Sequence, residues 1–495
     1  MPVSSAKVDK VLFITPEISP LAKSGGLGDV AAGLPPALAA LGLDLRLVMP
    51  LYGHIDRQAH DVRDSGLEFV VPVAGEMKPC RVWQAWVDGC PAYLLGNEQY
   101  FSRPGLYGDM YGDFGDNLER FVFLCRGAVE LARALDWPAQ AVHAHDWQTA
   151  LLPAYLATRP FDLGPLDGAA GIITIHNLAF QGIYPRHDFH LTGLPHYMDN
   201  VEGAEYWGNI SLLKAGLMTA EAITTVSPTY AAEIQTPELG MGMEGVLRRR
   251  SRDLHGIING VDYAQWSPEN DPLLPATYSA ADLGGKALCR RALLEAFGLD
   301  ASDQRGPVMG FIGRLTYQKG LNLITEAGEA LLDMGASLAL LGTGDAELEA
   351  ALSRLAARHP GRVGLKLTFS EPLAHLLQGG SDLMLMPSRF EPCGLNQMYA
   401  LRYGTPPLVH ATGGLKDTVT PFDQAGGAGT GFVFSEFNRE AFLDQALVAC
   451  RVFGQPQVWR RLMQSGMAQD FSWTASARRY MELYQATAKR RQTHP

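Results

Sequence analysis

"PVMGFIGRLTYQKG", residues 307–320, is where this chain starts a second time. It opens on an apolar run, breaks at glycine, places Arg314 and then Lys319 in a short loop, and passes into a helical pattern near 320–334. An apolar run without polar alternation suits a strand covered on both faces, and such strands joined by helices build a parallel sheet. The rhythm continues through "SLALLG" (337–342), "RVGLKL" (362–367), "DLMLMP" (382–387) and "PPLVH" (406–410). Just upstream lies "INGVDYAQWSPENDPLLP" (258–275), rich in Pro, Asn and Asp, which reads as a linker.

Before the linker stands a second pattern of the same kind. "KVLFIT" (10–15), "DLRLVM" (44–49), "AVHAH" (141–145), "GIITIH" (171–176) and "AITTVS" (222–227) are strand candidates. Between them, 116–135 carries Leu118, Phe121, Val122, Cys125, Val129 and Ala132 on one helical face. The expected fold is therefore α/β, with two Rossmann-like parallel-sheet domains, 1–257 and 258–470. Open parallel sheets bind ligands beyond the carboxyl ends of their strands, so the strand-end loops of the two domains are expected to face each other across a deep cleft.

Bulk properties narrow the partners. The 495 residues are 47% hydrophobic and 19% charged, ordinary for a globular chain. A net charge of −11 argues against a nucleic-acid or anionic-membrane partner. The basic run "LRRRSRD" (247–253) reads as the solvated end of a helix. Six scattered cysteines without C-x-x-C spacing point to reduced thiols and a cytoplasmic setting. The first apolar run is too short for a signal-peptide core, and no stretch is long enough to span a membrane.

Four stretches look chemical. "LAKSGGLGDV" (21–30) puts Lys23 beside the pair Gly25 and Gly26, with Asp29 in the opening turn of a helix. Glycines between a strand and a helix let a ligand approach the backbone, yet neither familiar phosphate-loop pattern is present. "TGGLKD" (412–417), with Thr412, Gly413 and Gly414, echoes "SGGLGD" (24–29), as if two loops addressed one ligand from opposite sides. Arg314 and Lys319 make a natural grip on a diphosphate, or else are two exposed loop cations. In "SRFEPCGLNQ" (388–397), Glu391 suits sugar hydroxyls, or is simply an acid at a helix start, and free amides near Gly394 would attract phosphate.

"HAHDWQT" (143–149) sets His143 and His145 on one side of a strand end. No third ligand pattern accompanies them, so sugar binding is favoured over metal, with Asp146 for hydroxyls and the Trp147 indole for stacking. "TIHNLAFQG" (174–182) repeats the arrangement with His176 and Asn177.

Taken in order, "KSGGLGDV", "HAHDWQTALLP", "HNLAFQG", "INGVD", "GRLTYQKG", "SRFEPCGLNQ" and "ATGGLKDTV" resemble the bacterial glycogen synthases and plant starch synthases, from about residue 10 to the C-terminus. The resemblance implies a GT-B fold and retaining transfer of glucose from ADP-glucose to the non-reducing end of an α-1,4-glucan, glycogen or a maltooligosaccharide. It implies no cofactor and no metal for the chemistry. A C-terminal helix, 471–495, would cross back onto the first domain. Lys23 would lie near the donor phosphates and sugar, and Arg314 and Lys319 would clamp the diphosphate. His176 would lie beside the transferred glucose. Glu391 would hold hydroxyls and stabilise charge on the sugar. Asp146, Asn177 and Asn259 would line the cleft, and Cys393 and Gly394 would approach the donor. The departing phosphate would take the acceptor's proton.

Two positions depart from what is common. Ser24 stands where the family often has Thr. Tyr399 stands where many other retaining GT-B enzymes carry a second glutamate, which the bacterial glycogen synthase branch also lacks. Another sugar-nucleotide enzyme of this fold, such as a UDP-glucose-dependent transferase or a 2-epimerase, is the rival reading, and a non-catalytic glucan-binding scaffold is a second. Against the epimerase stands "FSRPGLYGDMYGDFGDN" (101–117), which looks like an acceptor-side loop. A phosphorylase would need a pyridoxal-binding lysine motif, which is not found.

Overall fold

The computed structural model describes residues 8–302 and 306–493. The outer ends of the expected spans, residues 1–7 and 494–495, lie outside the described residues. The chain divides into two compact units, one running to Gly260 and resuming at Trp473, the other Val261–Ser472.

The first unit holds a nine-stranded sheet. Its strands are β1 (Lys10–Ile14), β2 (Asp44–Pro50), β3 (Arg63–Val73), β4 (Glu76–Val87), β5 (Cys90–Gly96), β6 (Ala141–His145), β7 (Ala170–Ile175), β8 (Ala222–Thr225) and β9 (Leu254–Gly256). Their order across the sheet is β9-β8-β7-β6-β1-β2-β5-β4-β3. The five strands expected here begin and end within two residues of their predicted positions. The meander β3–β5 was not expected, and it makes the sheet mixed, because β4 runs antiparallel to both its neighbours. Along β3 exposed and half-buried residues alternate, the mark of a strand with one wet face.

The second unit is wholly parallel. Its strands β10 (Val308–Ile312), β11 (Ser337–Leu341), β12 (Val363–Lys366), β13 (Leu383–Met386), β14 (Pro407–His410) and β15 (Phe432–Phe434) lie in the order β12-β11-β10-β13-β14-β15. Phe311, Leu338, Leu340, Leu385 and Leu408 pack with Ile324, Leu331, Phe442 and Ala446 in one buried core. Each such side chain contributes roughly 1.5–3 kcal/mol on burial.

Strand order also says where each sheet accepts a ligand. In the first unit the chain leaves β1 toward β2 on one side, while β6 leads to β7 on the other. In the second, β10 leads to β11 on one side and β13 to β14 on the other. The loops after β1 and β6, and after β10 and β13, therefore diverge and leave a crevice at the carboxyl ends of the strands. Lys23, Asp146, Arg314 and Glu391 all sit in these four loops.

The helix Trp473–Thr493 belongs to the first unit. Trp473 is buried there, its indole lying where side chains on Gly33 or Gly260 would otherwise stand. Ser476 Oγ donates to the Ile258 carbonyl at 2.6 Å. Tyr484, on the same helix, reaches β6, where its hydroxyl lies 2.7 Å from His143 Nδ1.

Candidate active site

In the first unit the loop after β1 is organised by a residue that sequence reasoning passed over. Glu17 is 3% exposed. It accepts from the Ser24 amide at 2.6 Å, the Ser24 hydroxyl at 2.5 Å and the Tyr107 hydroxyl at 2.5 Å. A buried carboxylate with three donors is satisfied and holds the backbone that carries Lys23. Its one sequence signal is an acid set between two prolines directly after the first strand.

Lys23 pairs with Asp29 at 2.6 Å, and both side chains are partly exposed. Asp29, expected to bind substrate, thus serves first as the partner of Lys23. Apart from their own chain neighbours and helix backbone, no described residue comes within 4 Å of where a Cβ would stand on Gly25 or Gly26, so the approach to this backbone is open.

At the ends of β6 and β7 three imidazoles gather. The rings of His143 and His145 lie 4.1 Å apart, as alternation along a strand requires. His143 Nε2 meets Thr174 Oγ1 at 2.6 Å, and His145 Nδ1 meets His176 Nε2 at 2.9 Å. Burial holds His143 and His176 down at about 3, so both are neutral at physiological pH. His145 is likewise pushed well below the ordinary imidazole range, by burial first and then by its two neighbours His143 and His176.

Asp146 accepts the His176 amide at 2.7 Å and so ties the two strand ends together. Burial raises its carboxyl to about 7, against the opposing pull of the His176 and Asn177 amides and with a smaller upward push from Glu17. Its backbone sits at φ 57°, ψ −173°, a region that costs a non-glycine residue of order 1–3 kcal/mol.

Trp147 corrects an expectation. Its indole is 9% exposed, edge-on to Phe121 at 4.9 Å and covered by the Gly182 backbone, so it offers no free stacking face. Apolar area beneath a strand end is worth more buried than wet. Asn177 is half-buried, with its side chain turned to the Ala179 amide at 3.1 Å. Asn259 is 6% exposed in the first unit, and its Oδ1 has no hydrogen-bond partner among the described residues.

In the second unit Lys319 Nζ lies 2.5 Å from Glu391 Oε2, with the Ser388 hydroxyl donating to the same oxygen at 2.9 Å. Lys319 and Glu391 were expected to serve separate parts of a ligand, yet here they compensate each other. The reason is burial: Glu391 is 5% exposed, and a carboxylate so placed needs a cation or donors. Arg314 is exposed and makes no ion pair among the described residues.

Gly413 stands at φ 43°, where a side chain would strike the Glu391 carbonyl, and the Gly414 amide donates to that carbonyl at 3.1 Å. The glycines thus press the loop bearing Thr412 against the loop bearing Cys393 and Gly394. Cys393 is buried at 4% exposure. The helix expected to open near Gly394 begins at Asn396. The "GGL" echo does open a helix in each unit, Gly26–Ala40 and Gly413–Thr418, though at different distances from the preceding strand.

Tyr399 has a packing role. It stacks on Trp266 at 4.1 Å, and the other face of Trp266 carries His375 at 3.8 Å. His375 Nδ1 lies 2.7 Å from Asp271. The expected linker 258–275 is therefore bonded into the second unit along this stretch. Among the described residues no three His, Cys, Asp or Glu side chains come together as a metal site would require. No helix there is long and apolar enough to cross a membrane.

Comparison with known proteins bears on both units. Residues 10–249 match the family model described as the starch synthase catalytic domain, and residues 296–447 match glycosyl transferases group 1. A glycogen synthase from Anaeromyxobacter sp. (strain Fw109-5) is 47% identical over 480 residues, covering 97% of this chain and 99% of the relative. One from Paracidovorax citrulli (strain AAC00-1) is 47% identical over 496 residues, covering 98% and 96%. Among solved structures, the catalytic domain of starch synthase IV from Arabidopsis thaliana, bound to ADP and acarbose, superposes with a TM-score of 0.89 at 32% identity, covering 98% of this chain and 100% of that one. Sucrose-phosphate synthase from Thermosynechococcus elongatus shares the fold at a TM-score of 0.58 and 18% identity, covering 97% and 98%.

Proposed function

The chain belongs to the glycogen and starch synthase family of GT-B glycosyltransferases, and from that premise we propose that ADP-glucose is its donor and an α-1,4-glucan its acceptor. The observation that carries this reading is the cation pair at the β10–β13 crevice. Arg314 stands exposed with no acid partner among the described residues, and Lys319 is held at 2.5 Å from Glu391. The ADP bound in the 32%-identical Arabidopsis enzyme supports the choice of base, and the acarbose bound there supports a glucan-type acceptor.

Breaking the bond from glucose C1 to the diphosphate sends its electron pair to the departing phosphate oxygen. Arg314 and Lys319 stabilise that charge, and fixed cations in a preorganised crevice count for more than they would in water. Glu391, its Oε2 still held by Lys319 and Ser388, faces the positive charge growing on the sugar. The acceptor's 4-hydroxyl forms the new bond to C1, and its proton passes to the departing phosphate, giving retention. His176 is neutral at physiological pH, so it serves the transferred glucose as a hydrogen-bonding group. Asp146 and Asn177 take hydroxyls, Lys23 leaves Asp29 to meet the donor, Gly25 and Gly26 let the ligand approach the backbone, and Gly413 and Gly414 hold the Thr412 loop against the loop that carries Glu391, Cys393 and Gly394. No disulfide joins any of the six cysteines, which supports a cytoplasmic setting.

The test is incubation with ADP-glucose or UDP-glucose and either glycogen or maltoheptaose. We expect a higher kcat/KM with ADP-glucose. Equal or better turnover of UDP-glucose overturns the donor assignment.

A further inference from the structure

The segment Gly105–Arg120 carries a small hairpin in which Gly108–Asp109 pairs antiparallel with Gly112–Asp113. At its tip Met110 is 88% exposed and Tyr111 is 89% exposed. Its base, by contrast, is heavily built. Arg120, fully buried, donates to the Tyr100 carbonyl at 2.7 Å, Asn117 Oδ1 at 2.6 Å and the Leu106 carbonyl at 2.9 Å. Arg103 clasps Asp116 through two bonds of 2.6 and 2.5 Å. Asn117 Nδ2 donates to the Tyr107 carbonyl at 2.8 Å. Desolvating a guanidinium is expensive, and here it fixes the base of a loop whose tip holds two large apolar groups in water.

We propose that the Met110–Tyr111 tip is a stacking platform for the glucan acceptor, a binding element beyond the two crevices. This rests on the glucosyltransferase reading above. Two observations select a glucan. The tip is flanked by exposed carboxylates, Asp109 and Asp113, which repel phosphates and anionic membranes but accept hydrogen bonds from sugar hydroxyls. The hairpin is also continuous with the site: Tyr107, at its base, donates to Glu17, which in turn holds Ser24 beside Lys23. Glucose rings present apolar C–H faces that lie well against an aromatic ring, and a rigid platform loses little entropy on binding.

Tyr111→Ala, Met110→Ala/Tyr111→Ala and Tyr111→Phe test this. Maltoheptaose binding would be measured by calorimetry without donor, alongside KM for maltoheptaose, glycogen and ADP-glucose. The alanine variants should raise Kd and KM for maltoheptaose roughly five- to tenfold. KM for ADP-glucose and Tm should stay unchanged, and Tyr111→Phe should behave as wild type because the ring is kept. An unchanged Kd and KM in the double variant overturns the proposal. So does an unchanged Kd with a shifted sedimentation coefficient, which would make the tip a self-association surface. Loss of maltoheptaose binding in a protein that never transfers glucose from ADP-glucose would overturn the donor reading and leave the platform standing.

Discussion

Each unit presents a lysine–carboxylate pair at its crevice, and the two pairs differ in one respect that decides their behaviour. Lys23 and Asp29 are 43% and 28% exposed, while Lys319 and Glu391 are 23% and 7% exposed. An exposed pair is worth about 0–1 kcal/mol, so Lys23 can leave Asp29 at almost no cost when an anion arrives. A buried pair is different: removing one partner strands the other, at a cost of about 3–5 kcal/mol. Near the first pair the strand ends carry three neutral or depressed imidazoles, two of them fully buried, while the second pair has the exposed Arg314 in the same loop. On the function proposed above, Lys23 is the cation free to move to an anion, and Lys319 the cation held in place by its carboxylate.

The largest effect should come from Lys319→Ala. It should cost about 3 kcal/mol of transition-state stabilisation in kcat/KM, and it should also lower Tm, because Glu391 is left buried and unpaired. From spacing alone Lys319 reads as a loop cation; the burial of Glu391 beside it gives it a part in the fold as well. A Lys319→Met/Glu391→Leu variant should recover Tm and remain inactive. Recovery of activity would break the comparison. Arg314→Ala should cost a similar factor in kcat/KM with Tm unchanged, because the side chain is exposed. Its effect should not add to that of Lys319→Ala, since both act on one diphosphate.

A smaller effect concerns protons in the first unit. Asp146 is raised to about 7, against about 3.9 in an unfolded chain. Between these values the native state keeps a proton that the unfolded state has lost. The stabilising contribution is therefore full below about pH 4 and is lost as pH rises through 7. Asp146→Asn cannot ionise, so urea titrations should show wild type losing ground to the variant across that window. His176, depressed to about 3, works in the opposite sense. Its contribution is full above about 6.5 and is lost as pH falls toward 3. A flat difference curve for Asp146→Asn would mean that its carboxyl is not held as described.

Asp29→Ala should change unfolding free energy by less than about 1 kcal/mol, and a larger loss would make the two lysine pairs alike. The smallest expected effect is that of EDTA. With Arg314 and Lys319 on the diphosphate, turnover should be unchanged by chelation. Restoration by Mg²⁺ after loss would put His143, His145 and Asp146 back in question as ligands.

Most of the sheet was legible because its strands are buried on both faces and read as plain apolar runs. The meander β3–β5 was not, because the exposed Arg63, Asp64 and Glu68 of β3 dilute the signal into what looks like loop. Arg314 and Lys319 could be placed at a strand end from spacing alone. Their difference in burial could not, since it depends on Glu391, more than seventy residues further along the chain. Trp147 was misjudged for a similar reason: nothing nearby in sequence announces that Gly182 and Phe121 cover its ring. Glu17 drew no notice because a single acid in a turn has no periodicity to betray it.

The Trp473 indole fills the space left by Gly33 and Gly260, and so joins the last segment of the chain to a unit that otherwise ends at Gly260. During synthesis the first 260 residues emerge without their closing helix, and the groove at Gly33 and the His143 ring wait uncovered. Val261–Ser472 is contiguous, so it can finish folding while the earlier half is still incomplete. This inverts the usual order, in which the N-terminal domain matures first on the ribosome. Nascent chains arrested just short of Trp473 should therefore yield a protease-resistant second half and a digestible first half, and resistance should pass to the whole protein only once the final helix has cleared the exit tunnel.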